Sequence, residues 1–165
     1  MRMMTKGGPA KWKADAIALL SQMQLSLSEC LAMPHAREQY PVSCRAWRAL
    51  LHEVTCHARS AGLVAYSSLS ARIGEQLEPS FQSNDMPRSA VQLVLLWSRA
   101  SLRYFRQSSD FKSAAELVGL LRISHANYYG AEERAFLLRS LIEDHESDGQ
   151  IGARSEPSSR SAGTC

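Results

Sequence analysis

Apolar residues recur at intervals of three and four along most of the chain, and this is the spacing of one face of an α-helix. No segment shows the alternation of apolar and polar residues that is typical of a half-buried strand, and no internal repeat is visible. The pattern predicts six helices, over residues 11–33, 41–61, 63–77, 87–107, 114–121 and 131–145.

The breaks between these helices fall at residues that interrupt helical structure. Pro34 ends the first predicted helix, Gly62 marks a bend after the second, and residues 79–87 read as a loop. Asp110 is the expected N-cap of the helix that follows. Amphipathic helices joined by short polar loops predict an all-α antiparallel bundle, with a four-helix core and additional C-terminal helices.

The length of 165 residues suits one domain with its own core and a tail. We expect a flexible N-terminus over 1–10, a helical bundle over 11–108 and a C-terminal helical extension over 109–145. Residues 146–165 are rich in Ser, Gly, Arg and Glu and poor in large apolar residues, so we expect a disordered tail there.

Charge and cysteine content exclude several classes of protein. The formal net charge of +3 gives no reason by itself to expect nucleic acid as a partner. The four cysteines lie at irregular intervals without a C-x-x-C pair, which argues against a disulfide framework or zinc site and favours the cytoplasm. The apolar run at 91–97 is far shorter than the ~20 residues that cross a bilayer, so we expect no membrane association.

One stretch points to a specific chemistry. On the second predicted helix, His52, Thr55, Cys56, Arg59 and Leu63 share one face, which is mostly polar or small. The neighbouring face is apolar throughout, so His52 is predicted to project toward solvent. An exposed imidazole can change its protonation near neutral pH and can accept a group on a ring nitrogen.

This stretch resembles the histidine-containing phosphotransfer domains of two-component phosphorelays, in which the active histidine lies mid-helix in the pattern H-x-x-[KR]-G-x-[AS]-x-x-x-G. His52, Thr55, Cys56, Ala58 and Gly62 stand at the corresponding positions. The following run, G-L-V-A-Y-S-S-L-S-A-R-I-G-E-Q-L-E, is similar to the next helix of that family. The resemblance covers roughly residues 45–107, and two family residues are replaced: the cation by Thr55 and the central glycine by Cys56.

The resemblance implies a carrier rather than an enzyme, with His52 as phosphoacceptor and with no cofactor or metal of its own. Thr55, Cys56, Arg59 and Gly62 would form the docking face for a response-regulator receiver domain or a hybrid histidine kinase. Arg59 could supply the missing cation. Because of the two replacements, a degenerate domain that docks a receiver without carrying phosphate remains open. His57 points to another face and is expected to have a structural role.

Two other interpretations remain open. The segment 113–129 resembles a helix-turn-helix of a DNA-binding regulator, with Asn127 placed to read bases, but Arg122 stands where the turn glycine is usual and basic residues are scarce. An ordinary helix pair is the alternative for this segment.

The chain could also be a helical adaptor without chemistry, in which the position of Cys56 next to His52 is a coincidence. Arg99, Arg103 and Arg106 form a basic face that is either solvated or used for docking, and the three tryptophans are expected in the core: Trp12, Trp47 and Trp97.

Overall fold

A computed structural model describes residues 9–32, 40–83, 86–107, 111–121 and 130–153. Across these ranges the chain is almost wholly helical and contains no β-strand, so the all-α prediction is confirmed. The helices are α1 (Pro9–Ala32), α2 (Tyr40–Ser60), α3 (Val64–Ser83), α4 (Arg88–Arg106), α5 (Phe111–Leu120) and α6 (Ala131–Ala153).

The first four helices close into a bundle. Helix α1 packs against α2 and α4, and α2 packs against α3. Two buried hydrogen bonds join α3 to α4: Trp97 Nε1 donates to Ser70 Oγ at 3.1 Å, and the Tyr66 hydroxyl donates to Ser101 Oγ at 2.8 Å. Because partners on α3 and α4 run in opposite order along the chain, these helices are antiparallel.

Aromatic side chains fill the end of the bundle where α3 begins and α4 ends. Tyr66 and Tyr104 stack with centroids 5.4 Å apart, and Phe105 lies 4.8 Å from Tyr66. Trp12 of α1 meets Phe105 edge-on at 5.5 Å. Burial raises the pKa of the Tyr66 hydroxyl far above its usual value, so this group stays protonated and serves as a donor. Trp97, which bonds to Ser70, is also fully buried, as its apolar position predicts.

Hydrogen bonds join helix α6 to the bundle. The Tyr104 hydroxyl donates to the carbonyl of Leu141 at 2.8 Å, and Asp144 Oδ2 accepts the backbone N–H of Tyr66 at 3.1 Å. Asp144 therefore caps the N-terminus of α3, where backbone N–H groups have no partner within the helix. It lies 78 residues from Tyr66 in sequence. Helix α5 fills the space between α4 and α6.

Two helix ends differ from the sequence prediction. Helix α3 does not stop before Pro79 but continues to Ser83, because Phe81 lies on its buried face and anchors the last turn in the core. A proline there removes one backbone hydrogen bond without ending the helix. Helix α6 continues past His145 to Ala153, so residues 146–153 extend a helix whose preceding turns are already packed.

Several predictions fall outside the described residues. These are the cap at Asp110, the N-terminus over 1–8, the second half of the helix-turn-helix over 122–129, and the tail over 154–165. Among the helices that are described, none combines the length and the apolar character needed to cross a membrane.

Candidate functional site

Helix α2 turns one face to the core and leaves His52 on the other. Its buried face is formed by Cys44, Trp47, Leu51, Val54 and Ala58, which recur at helical spacing. Successive residues of a helix are rotated by about 100°. The side chain next to buried Leu51 therefore emerges at the surface, and His52 is exposed, as the spacing predicts.

His52 opens onto a groove between α2 and α3. The groove has a volume of about 650 Å³, and its wall on α3 is formed by Ala71, Gly74, Glu75, Glu78 and Phe81. A Cβ atom at Gly74 would lie 3.0 Å from Cδ2 of Leu51. The two helices approach closely at this point because Gly74 has no side chain. Of the residues that form the α3 wall, Ala71 and Gly74 are small.

The two residues that depart from the phosphotransfer pattern both lie beside the ring. Cys56 is exposed, and its Sγ lies 3.5 Å from Nε2 of His52. Thr55 Oγ1 donates to the carbonyl of Leu51 at 2.7 Å, a local bond common for threonine within helices. The thiol therefore lies against one ring nitrogen, while the threonine hydroxyl directs its proton to the backbone of its own helix.

Cations surround His52 along α2. Arg48, four residues before it, forms an ion pair across the groove with Glu78, which also accepts a hydrogen bond from Gln82 at 3.1 Å. Arg45 and Arg59 lie seven residues to either side of His52, ~10.5 Å along the helix axis. Both are exposed, and within the described residues neither forms an ion pair. The stripe of exposed side chains on α2 that runs through Arg45, Arg48, His52 and Arg59 is therefore basic.

His57 lies on another face of α2, as expected. Its Nε2 is 3.8 Å from Glu53 Oε1, and both side chains are partly exposed. Such a surface pair contributes little to stability. His57 does not line the groove.

Gly62 ends α2 rather than lining the groove. Its φ of 89° is in the left-handed region that favours glycine. The Leu63 N–H donates to the carbonyl of Ala58 at 3.0 Å. The Gly62 N–H donates to the carbonyl of Arg59 at 3.1 Å. These bonds close the last turn of α2 and reverse the chain into α3. Of the predicted docking residues, Thr55 and Cys56 thus adjoin His52, Arg59 continues its stripe, and Gly62 shapes the hairpin.

Three residues of this site were not predicted from the sequence: Arg45, Arg48 and Gly74. The two arginines could have been found, because they precede His52 by seven and four residues and so share its face. An isolated glycine inside a helical pattern was the signal for Gly74, since it often marks a close approach of two backbones.

The helix-turn-helix candidate is only partly described. Its first helix corresponds to α5, where Leu117 is buried and Glu116 pairs with Arg103 of α4 at 2.6 Å. Leu121, directly after α5, is also buried. Arg122 and Asn127 lie outside the described residues.

Comparison with known proteins finds no matching family model, no matching curated protein and no matching solved structure. In the described part of the chain, no cluster of three or more His, Cys, Asp or Glu side chains is arranged to hold a metal ion.

Proposed function

We propose that this chain is a phosphorelay protein that docks response-regulator receiver domains, or the receiver of a hybrid histidine kinase, on the exposed face of α2, and that His52 accepts the phosphoryl group. The observation that carries the proposal is the position of His52, exposed in the middle of a long helix within a four-helix core. A nucleophile held on a rigid helix can be approached by another protein without rearrangement of the carrier.

The chemistry requires only a neutral imidazole on the carrier. A ring nitrogen of His52 attacks the phosphorus of the receiver's aspartyl phosphate, so that an N–P bond forms while the P–O bond to the aspartate breaks. The aspartate leaves as a carboxylate, and the other ring nitrogen keeps its hydrogen. Reversal of these steps passes the group to a second aspartate. The receiver supplies the Mg²⁺ that neutralises the phosphoryl oxygens.

The charges around the groove support an acidic partner. A receiver presents its aspartates and phosphoryl group as negative charge, and Arg45 and Arg59 offer positive charge on both sides of His52. Glu75 on the α3 wall bears the opposite charge. We therefore expect the partner to lie along α2 rather than over the centre of the groove.

Cys56 and Thr55 make transfer slower than in carriers with the full pattern. The thiol beside Nε2 must turn away before that nitrogen can attack. Thr55 provides no positive charge to the transferring oxygens. His52 thus has the position of a phosphoacceptor but little support from its nearest neighbours.

The test is transfer from a receiver domain that has been charged with radiolabelled acetyl phosphate. We expect acid-labile label to move to the wild-type chain and to the His57→Gln variant, and not to His52→Gln. Label on none of the three proteins would contradict carriage of phosphate. Binding of the receiver to α2, followed by NMR, then separates a docking module without transfer from a chain that does neither.

A further inference from the structure

Helix α4 exposes a single narrow row of side chains. Twelve of its 19 residues are buried against the rest of the bundle. Six of the exposed ones fall within about 80° of each other on the helix and span ~27 Å along its axis. They are Arg88, Gln92, Leu96, Arg99, Arg103 and Arg106.

All of the charged residues in this row are cationic. Helix α4 contains no aspartate or glutamate. Arg103 is partly neutralised by Glu116 of α5, with Nη1 and Oε1 2.6 Å apart. Arg88, Arg99 and Arg106 form no ion pair within the described residues. Three cations without an ion-pair partner among the described residues therefore lie in line on one rigid element.

Apolar surface lies in the middle of this charged row. Leu96 is 39% exposed although it is on a helix whose other leucines are buried. An exposed apolar centre between arginines is the composition of a protein-binding surface, in which arginine is enriched. Arginine also pairs with carboxylates through two parallel hydrogen bonds.

We propose that this row, the α4 stripe, binds an acidic amphipathic helix of a partner protein. The partner's carboxylates would pair with Arg88 at one end and with Arg99 and Arg106 at the other, and its apolar residues would cover Leu96. The bundle order α1–α2–α3–α4 places α4 diagonally opposite α2. The α4 stripe is therefore a second surface, separate from the proposed receiver face.

The structure disfavours a nucleic acid on this stripe. Helix α4 is embedded between its neighbours and cannot enter a groove of DNA in the way that a protruding recognition helix does. A contact with about three phosphates would give only weak, salt-sensitive binding. Leu96 would have no counterpart along a phosphate backbone.

The test uses two synthetic helical peptides with the same row of leucines, one flanked by glutamates and the other by glutamines. Binding to the full chain is measured by fluorescence anisotropy at low and high salt. The variant combines Arg88→Glu, Arg99→Glu and Arg106→Glu. Its matched control combines Arg45→Glu and Arg59→Glu, which reverse two exposed arginines of α2.

We expect the glutamate peptide to bind at least about tenfold more tightly than the glutamine peptide, and the α4 variant to lose about tenfold in affinity while the α2 variant does not. Circular dichroism checks that both variants keep the helical fold. The proposal is overturned by absence of binding at low salt, by equal binding to the α4 variant, or by loss of binding in the α2 variant. Tighter binding of duplex DNA or of phosphatidylserine vesicles to the α4 stripe would also overturn it.

Discussion

Cys56 Sγ lies 3.5 Å from Nε2 of His52, one turn along the exposed face of α2. The thiol occupies the position at which the phosphotransfer pattern has glycine, so it lies against the proposed nucleophile. Replacement by alanine removes this contact and keeps good helix propensity.

Cys56→Ala should therefore accelerate phosphorylation of His52. Loss of a weak hydrogen bond to the attacking nitrogen is worth about 0.5–1.5 kcal/mol, so we expect a rate increase of roughly 2–10-fold. Initial rates of transfer from a charged receiver provide the measurement. Cys30→Ala, on α1, is the matched control. A slower Cys56→Ala protein would mean that the thiol assists the reaction.

Thr55→Lys should also accelerate transfer, and by more. The lysine would place a cation one turn from His52, where it can reach an oxygen of the transferring group. A charge-assisted hydrogen bond contributes about 1.5–3 kcal/mol, which corresponds to roughly 10–150-fold in rate. Thr55→Gln has a long polar side chain without the charge and should leave the rate near that of the wild type. Equal rates for the two variants would exclude an electrostatic effect.

Gly74→Val tests the close approach of α2 and α3. A Cβ at this position would lie 3.0 Å from Leu51 Cδ2, so a branched side chain must displace the buried Leu51 side chain or move the helices apart. We expect the free energy of unfolding to fall by about 1–3 kcal/mol. Gly119→Ala on α5 meets nothing within 4 Å and should stabilise the protein by about 0.5–1 kcal/mol. Urea denaturation measures both, and an unchanged midpoint for Gly74→Val would contradict the observed packing.

The raised pKa of the Asp144 carboxyl predicts that the stability of the fold depends on pH. Desolvation raises the pKa of this carboxyl, while hydrogen bonds from Tyr66, Ala65 and Val64 lower it and only partly offset the burial. A folded-state pKa above the unfolded value means that the folded protein binds the proton more tightly. The contribution of Asp144 is therefore greatest below the unfolded pKa and is lost as the pH rises through the folded one.

The measurement compares urea midpoints of the wild type and Asp144→Asn between about pH 3 and pH 7. Asparagine keeps an oxygen that can accept the Tyr66 N–H but does not titrate. The stability of the wild type relative to the variant should decrease as the pH rises. An increase over the same range would show that the hydrogen bonds at the start of α3 dominate over burial.

The helices were predictable because each has an apolar face of regular period. The pattern placed α2 within one residue at each end, since a proline and a glycine mark its limits. It failed at Pro79, where local propensity favours a loop but burial of Phe81 keeps the chain helical. Tertiary packing decided that helix end, and a pattern read along one segment does not contain it.

The candidate site was predictable to the extent that it depends on one helix. The exposure of His52 follows from its position on α2, about 100° around the helix axis from buried Leu51. The groove could not be predicted from α2 alone, because its shape depends on how α3 packs against α2 at Gly74. The pairing of Arg48 with Glu78 likewise joins residues 30 positions apart. The capping of α3 by Asp144 depends in the same way on a contact between distant helices.

The most direct test of His52 as a phosphoacceptor needs no partner protein. Phosphoramidate transfers its phosphoryl group to accessible imidazole, and intact-mass spectrometry at neutral pH detects the gain of one phosphoryl group. We expect the wild type and His57→Gln to gain an acid-labile group that peptide mapping places on His52, and α2 of His52→Gln, which keeps only the partly exposed His57, to be modified far less. Failure of the wild type to be modified at His52, or equal modification of His52→Gln on α2, would contradict the proposed function.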